Sequence, residues 1–498
     1  MKRLPWAWII LGGCYLGGYL WALDRIPLIA MDEAWYANTA YNWSRGAGLI
    51  NTNAMWRGGD VFFVYTGLLA LMYKLTSASL YFSRFLSVLL GFLGLVGIVL
   101  AATEAKLSRK GRLLTGWMWV ISPLFYILLR RARPEVLVIA LTAWALYFFL
   151  KFFKKQDLSS LILLSLCTAL AGMTHPYAWA GIGAFGLAMA VQSFPIKSWR
   201  PLGVFAGVNG LLALAFLGAL FTFKGMTPTD FFLSLTSSQR GLSSAGFFAG
   251  VWENTSRFVE GYTLNGKRLF FLMLELGILG LGLNSKKPAL RGVSALALGY
   301  AGLSLVGFNP LFRWALGPTL AMACLIFADT ALSDKKTVWS HLLKGLIVLY
   351  MLGQVGSIGW LCVQNWHNTP YSVIEKRISH VIPPGKKVMT QMELWFPLKE
   401  TQVFTQSTLW KNTPYSGIKA LQSSGQIDYI VLSSHASGET SPTFGKLSIT
   451  GICYSDYFSI VSQWGKSSGP PLLSFDTRGY GTIHVWATQT RHNKPPRK

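Results

Sequence analysis

Two carboxylates stand side by side at Asp32 and Glu33, just past the first apolar run, at the start of the helix-compatible stretch Asp32-Glu33-Ala34-Trp35-Tyr36-Ala37-Asn38-Thr39-Ala40. A helix N-terminus keeps such groups ionised, and an ionised carboxylate can serve as a general base. An acidic pair that only caps a helix at a membrane surface is the plainer alternative. Further on, Arg130, Arg131 and Arg133 precede Pro134 and Glu135 at a turn between apolar runs. Guanidinium groups bind phosphate through paired hydrogen bonds, while long basic side chains at a membrane edge also snorkel to anionic headgroups. His175, before Pro176, opens another turn. It can reach a site or a metal, or simply serve a helix start. Arg313-Trp314 opens a later apolar run, as a phosphate contact or as an interfacial anchor.

These residues are embedded in an apolar chain. Of 498 residues, 52% are hydrophobic, 14% aromatic and only 13% charged, and the mean hydropathy is positive. That is too apolar for a soluble protein of this length. The apolar stretches are continuous over about 17 to 22 residues rather than alternating, so they predict membrane helices and not a barrel. A net charge of +25 invites a nucleic-acid partner, but much of the excess lies in short loops between apolar runs, where it fixes membrane orientation. No nucleic acid is expected. The five cysteines show neither zinc spacing nor a disulfide framework, and Cys14, Cys167 and Cys324 lie inside apolar runs.

Apolar runs fall at 5–23, 61–73, 84–103, 113–129, 135–153, 158–173, 176–192, 201–223, 268–284, 291–307, 314–331 and 342–362. Basic loops follow at Lys106 to Arg112, Lys151 to Lys155, Lys197 to Arg200, Lys286 to Arg291 and Lys335-Lys336. All five lie on the cytoplasmic side only if the run at 61–73 does not cross, and that run is also short for a span. The expected fold is therefore a polytopic α-helical membrane protein with about eleven spans and a cytoplasmic N-terminus, most simply in a bacterial plasma membrane. An outer loop runs from 24 to 83, and the domain border falls between a membrane part, 1–363, and an extracytoplasmic segment, 364–498. In that last segment Lys386 to Met389, Gln402 to Phe404 and Asp428 to Leu432 read as strands and Ser372 to Val381 as a helix, giving a small α/β domain.

The pattern Asp32-Glu33-Ala34-x-Tyr36-Ala37-x-x-Ala40, placed directly after the first span, resembles the first-loop motif of the lipid-linked-sugar glycosyltransferases of the GT-C fold. It is closest to the protein O-mannosyltransferase group and to the aminoarabinose transferases acting on lipid A. The likeness continues through the short apolar helix at 61–73 and Arg84-Phe85-Leu86-Ser87-Val88-Leu89-Leu90-Gly91 at the head of the second span. It implies that Asp32 is the catalytic base with Glu33 as its neighbour. Arg84, Arg131, Arg133 and Arg313 would hold the donor phosphate, and Tyr36, His175 and Trp314 would line the substrate. Three departures stand out. Gly58-Gly59-Asp60-Val61 replaces an expected proline pair, Glu135 stands where an aspartate is usual, and Trp314 replaces a tyrosine.

The donor so implied is a sugar on a polyprenyl phosphate, and the absence of a nucleotide-phosphate loop fits a lipid donor. The acceptor would be a hydroxyl on a glycan, lipid or protein, with inversion at the anomeric carbon. Asp32, Glu33, Glu135 and His175 offer ligands to a divalent metal, and no spacing demands one. The competing classes are a lipid or solute transporter or flippase, which would place its ionisable residues nearer mid-span, and a non-catalytic subunit of the same fold.

Overall fold

The computed structural model describes residues 6–52, 62–193, 198–224, 227–229, 266–307, 317–332, 338–405, 414–434 and 454–488. The chain forms two compact units. One comprises Met1–Trp21, Val61–Tyr65 and Phe85–Leu361; the other comprises Ala22–Asp60, Thr66–Arg84 and Cys362–Lys498.

Every apolar run is helical. In chain order the helices are α1 (Trp6–Leu20), α2 (Met31–Ser44), α3 (Phe63–Leu75), α4 (Leu80–Glu104), α5 (Arg109–Val120), α6 (Pro123–Leu128) and α7 (Glu135–Lys155). They continue with α8 (Leu158–Gly172), α9 (Ala178–Ser193), α10 (Arg200–Lys224), α11 (Gly266–Leu283), α12 (Pro288–Gly307), α13 (Gly317–Ala331) and α14 (Val338–Asn365). The run at 113–129 is two helices and not one. Ser122 caps α6 by accepting from the Phe125 N–H, and Pro123 occupies its first turn, so the backbone breaks there. At 13 residues α3 reaches only about 20 Å, short of a bilayer core of about 30 Å. Among the described residues, Leu80–Glu104, Glu135–Lys155, Arg200–Thr222 and Lys344–Asn365 are long and apolar enough to cross a membrane.

Inside the helical unit α13 is buried continuously from Gly317 to Ala328 and packs against α5, α7, α11 and α12. Close helix approach relies on small residues. A Cβ on Gly94 of α4 would sit 2.9 Å from the Trp119 ring and 3.1 Å from the Ala140 Cα, and one on Gly97 would sit 3.1 Å from the Trp144 nitrogen. Small residues are the usual contact in lipid, where apolar burial drives no association. Between α7 and α8 the chain reverses through Gln156 in a left-handed conformation, and Asp157 caps α8 through the Ser160 N–H.

The second unit contains a five-stranded sheet of order β2-β1-β3-β5-β4, formed by β1 (Lys387–Thr390), β2 (Gln402–Phe404), β3 (Tyr429–Ser433), β4 (Leu473–Thr477) and β5 (Gly481–Ala487). Strand β1 runs parallel to β2 and β3, with Val388 opposite Val403, and β5 is antiparallel to β3 and β4. Helices α15 (Tyr371–Val381), α16 (Pro414–Ser424) and α17 (Tyr454–Ser467) accompany it. Met389, Ile430, Leu432 and Trp486 from the sheet meet Ile418, Val461 and Trp464 from α16 and α17 in one core. Ala22–Asp60 and Thr66–Arg84 belong to this same unit, so α2 folds with the C-terminal segment.

Candidate active site

Helix α2 starts at Met31, with Ala30 extended at its N-cap. Glu33, at the third helical position, accepts from the Ala30 N–H at 3.0 Å. Its carboxylate then meets Arg84 in a two-pronged ion pair: Nε donates to Oε2 and Nη2 to Oε1, each at 2.8 Å. Arg84 Nη1 donates to the carbonyls of Leu23 and Pro27, also at 2.8 Å each. Both side chains are fully shielded from solvent. Arg84 was expected to hold the donor phosphate and Glu33 to flank the base. In the structure the guanidinium faces inward and its donors tie α2 to the loop before it, while Glu33, beside Asp32, is the counter-charge that makes its burial tolerable.

Asp32, the other acidic residue of the first turn, is half-buried. Tyr36 lies four residues on, which on a helix is the same face, and it too is half-buried. The loop beyond α2 is pinned by an amide relay. Asn38 donates to Thr52 Oγ1 at 2.9 Å and accepts from its N–H at 2.8 Å, while Asn42 donates to the Ile50 carbonyl at 2.9 Å.

A residue that the sequence did not single out completes this surroundings of Asp32. Just past β1 the chain makes a single 3-10 turn, Met392–Leu394, that packs on α2, and the Trp395 ring lies 6.0 Å from Tyr41. Glu393 sits in that turn. Its carbonyl accepts from Tyr371 Oη at 2.6 Å, and its Oε2 is buried without a hydrogen-bond partner. Burial, with the Asp32 charge adding to it, pushes its carboxyl up to about 7. Tyr371 and Tyr480 nearby are raised by burial and stay neutral, and Tyr480 Oη accepts from the Ile29 N–H at 3.0 Å. One signal was available in the sequence: Glu393 lies three residues beyond the carboxyl end of a parallel strand, where α/β sheets habitually place their functional groups.

The helical unit holds the second set of predicted residues. Arg133 and Glu135 pair locally, with Nε 3.1 Å from both carboxylate oxygens and Nη2 2.5 Å from Oε1, and both are nearly fully buried. Glu135 opens α7, where the helix N-terminus favours its charge. His175 stacks beside Tyr177 at 4.5 Å and Phe62 at 6.4 Å, and its Nδ1 accepts from the Tyr177 N–H at 3.4 Å. It also lies close enough to Glu135 to act on its charge. The half-exposed member of the arginine cluster is Arg131. Arg130 is fully buried, donating to the Gly18 carbonyl at 3.1 Å and to Tyr126 Oη, and so caps the end of α1. Part of the Arg133 guanidinium is engaged by Glu135. Arg313 and Trp314 lie outside the described residues. Among the described residues no three His, Cys, Asp or Glu side chains converge in a way that would hold a metal ion.

The architecture is the GT-C fold. No protein-family model matches the chain, and no curated protein does. Solved structures do. ArnT from Cupriavidus metallidurans bound to undecaprenyl phosphate superposes with a TM-score of 0.63 at 12% identity, over 96% of this chain and 98% of that one. Its apo form gives 0.61 at 12% identity, over 96% and 97%. The oligosaccharyltransferase of Archaeoglobus fulgidus in the apo form gives 0.51 at 11% identity, over 97% of this chain and 74% of that one. ArnT is a lipid A aminoarabinose transferase, and both proteins have the GT-C fold. The chain is accordingly a polytopic membrane protein of that fold, as its first-loop motif had implied.

Proposed function

We propose that this protein is a membrane glycosyltransferase that moves a sugar from a polyprenyl phosphate to an acceptor hydroxyl on the extracytoplasmic face, with Asp32 as general base. The observation that carries this is the division of labour at the head of α2: Glu33 is locked to Arg84, and its neighbour Asp32 stays a half-buried carboxylate with Tyr36 on the same helix face. The GT-C fold and a neighbour of that fold bound to undecaprenyl phosphate support the lipid donor.

The chemistry asks for a base and a cation. Asp32 removes the acceptor proton as the hydroxyl oxygen forms its bond to the anomeric carbon. The bond from that carbon to the phosphate oxygen breaks on the opposite side, its electron pair leaving with the phosphate. Displacement in one step inverts the anomeric centre, as in the base half of an inverting glycosidase. Arg131 and Arg133 are proposed to stabilise charge on the phosphate, with Arg313 in the same role. His175 and Trp314 are assigned to the substrate, and Glu135 to holding Arg133. The orientation proposed places the N-terminus in the cytoplasm of a bacterial cell and the C-terminal segment outside.

The test is transfer of radiolabelled sugar from membrane lipids to any acceptor, comparing wild type with Asp32→Asn at equal membrane abundance. Loss of transfer by about 10²-fold or more is expected, the scale at which a positioned base contributes. Undiminished transfer by the variant would remove Asp32 from the reaction.

A further inference from the structure

Resting on Asp32 as the base, we propose that Glu393, supplied by the turn after β1, is a positioning residue that acts through Asp32, taking over the proton that Asp32 removes from the acceptor hydroxyl. Three structural facts carry this. The turn that holds Glu393 is packed on α2 and fixed there by the Tyr41–Trp395 contact and the Tyr371 hydrogen bond to the Glu393 carbonyl. Its Oε2 is buried and lacks a hydrogen-bond partner, an arrangement that normally costs stability and persists where it is used. Asp32, on the α2 helix against which this turn packs, is near enough for its charge to act on Glu393.

The other titratable groups around it do not compete for the proton. Tyr371 from α15 and Tyr480 from the β4–β5 turn stay protonated, and the nearby Glu33 is held ionised against Arg84. In the step proposed, the proton passes from the acceptor oxygen to Asp32 and from Asp32 to ionised Glu393, and then to water. Asp32 is thereby returned to its basic form. Nothing else is consumed, because the phosphate leaves as an anion.

The readout is the pH dependence of the rate at which label leaves an undecaprenyl-phosphate-linked sugar pool, measured with the full-length protein in membranes. In the wild type the rate should climb through about pH 7, where Glu393 becomes able to accept. Glu393→Gln should move that climb toward acid and lower the plateau kcat by about tenfold, one pKa unit's worth of proton affinity on a Brønsted line, with the donor KM unchanged. Glu393→Asp, which retains a carboxyl, should keep a climb near neutrality, and it carries the test if the glutamine variant fails to accumulate. A rate profile for Glu393→Gln that parallels the wild type, or one for Glu393→Asp that matches the glutamine variant, overturns the proposal. Asp32→Asn run alongside separates the two ideas: if it is inactive, the base role stands whatever Glu393 does, and if it is fully active, both fall.

Discussion

Asp32 and Glu33 are adjacent in sequence and opposite in fate. That two carboxylates opened a helix after the first apolar run was legible, because composition and spacing mark a helix start. Which of them faced inward was not, since the partner, Arg84, lies fifty-one residues away and is brought in by tertiary folding. Buried between Glu33 and two backbone carbonyls, Arg84 acts as a structural tie. A buried pair broken on one side leaves an uncompensated charge, a loss of about 3–5 kcal/mol. Glu33→Gln and Arg84→Met should therefore each lower the yield and the melting temperature of the purified protein, while Glu33→Gln paired with Arg84→Met should recover much of the loss. If the single variants melt like wild type, the tie is dispensable. Glu393 escaped notice because a lone glutamate between apolar residues carries no motif; only its place after a strand end gives it away.

At the level of elements, continuous apolar runs were sufficient to locate the helices, because in lipid each backbone must satisfy its own hydrogen bonds. The exception was the run ending at 129, where hydropathy sees one segment and the Ser122-Pro123 pair makes two. The strands near 387, 402 and 429 and the helix near 372 were likewise readable from β-branched residues and turns. Strands β4 and β5 were not, although Ile483, Val485 and Trp486 of β5 are buried in the structure. The sheet has one unusually tight packing contact. A Cβ on Gly465 of α17 would lie 2.7 Å from the Trp486 ring of β5. Gly465→Val should overpack that contact by about 1–3 kcal/mol and expose the C-terminal segment to protease, whereas an unchanged cleavage pattern would mean that helix and strand can separate freely.

For the whole molecule, orientation rests on the basic loops, and the GT-C fold agrees with a polytopic chain without fixing the number of crossings. A charge buried in the second unit gives that unit its own response to pH. The carboxyl of Glu393 titrates near 7 when folded, above its ordinary value of 4.5. A raised acid favours folding while it stays protonated, so its contribution is complete below about pH 4.5 and is lost as pH rises through about 7. Thermal melts of the detergent-solubilised protein should show Glu393→Gln gaining on wild type across that window, by of order 2 kcal/mol at its top. A constant offset at all pH values would show that the carboxyl does not titrate there.

The membership of α2 in the C-terminal unit has a consequence for how the protein is made. Ile29 is fastened by Tyr480, Asp24 accepts from the Tyr371 N–H, and Lys399 reaches the Ala78 carbonyl at 2.6 Å, so the segment around α2 is completed by one synthesised much later. At about 5–20 residues per second, a ribosome needs on the order of tens of seconds to deliver those partners after Arg84 has emerged. Throughout that interval Asp32 has no finished surroundings. Until then α2 stands without the contacts that the C-terminal segment brings to it.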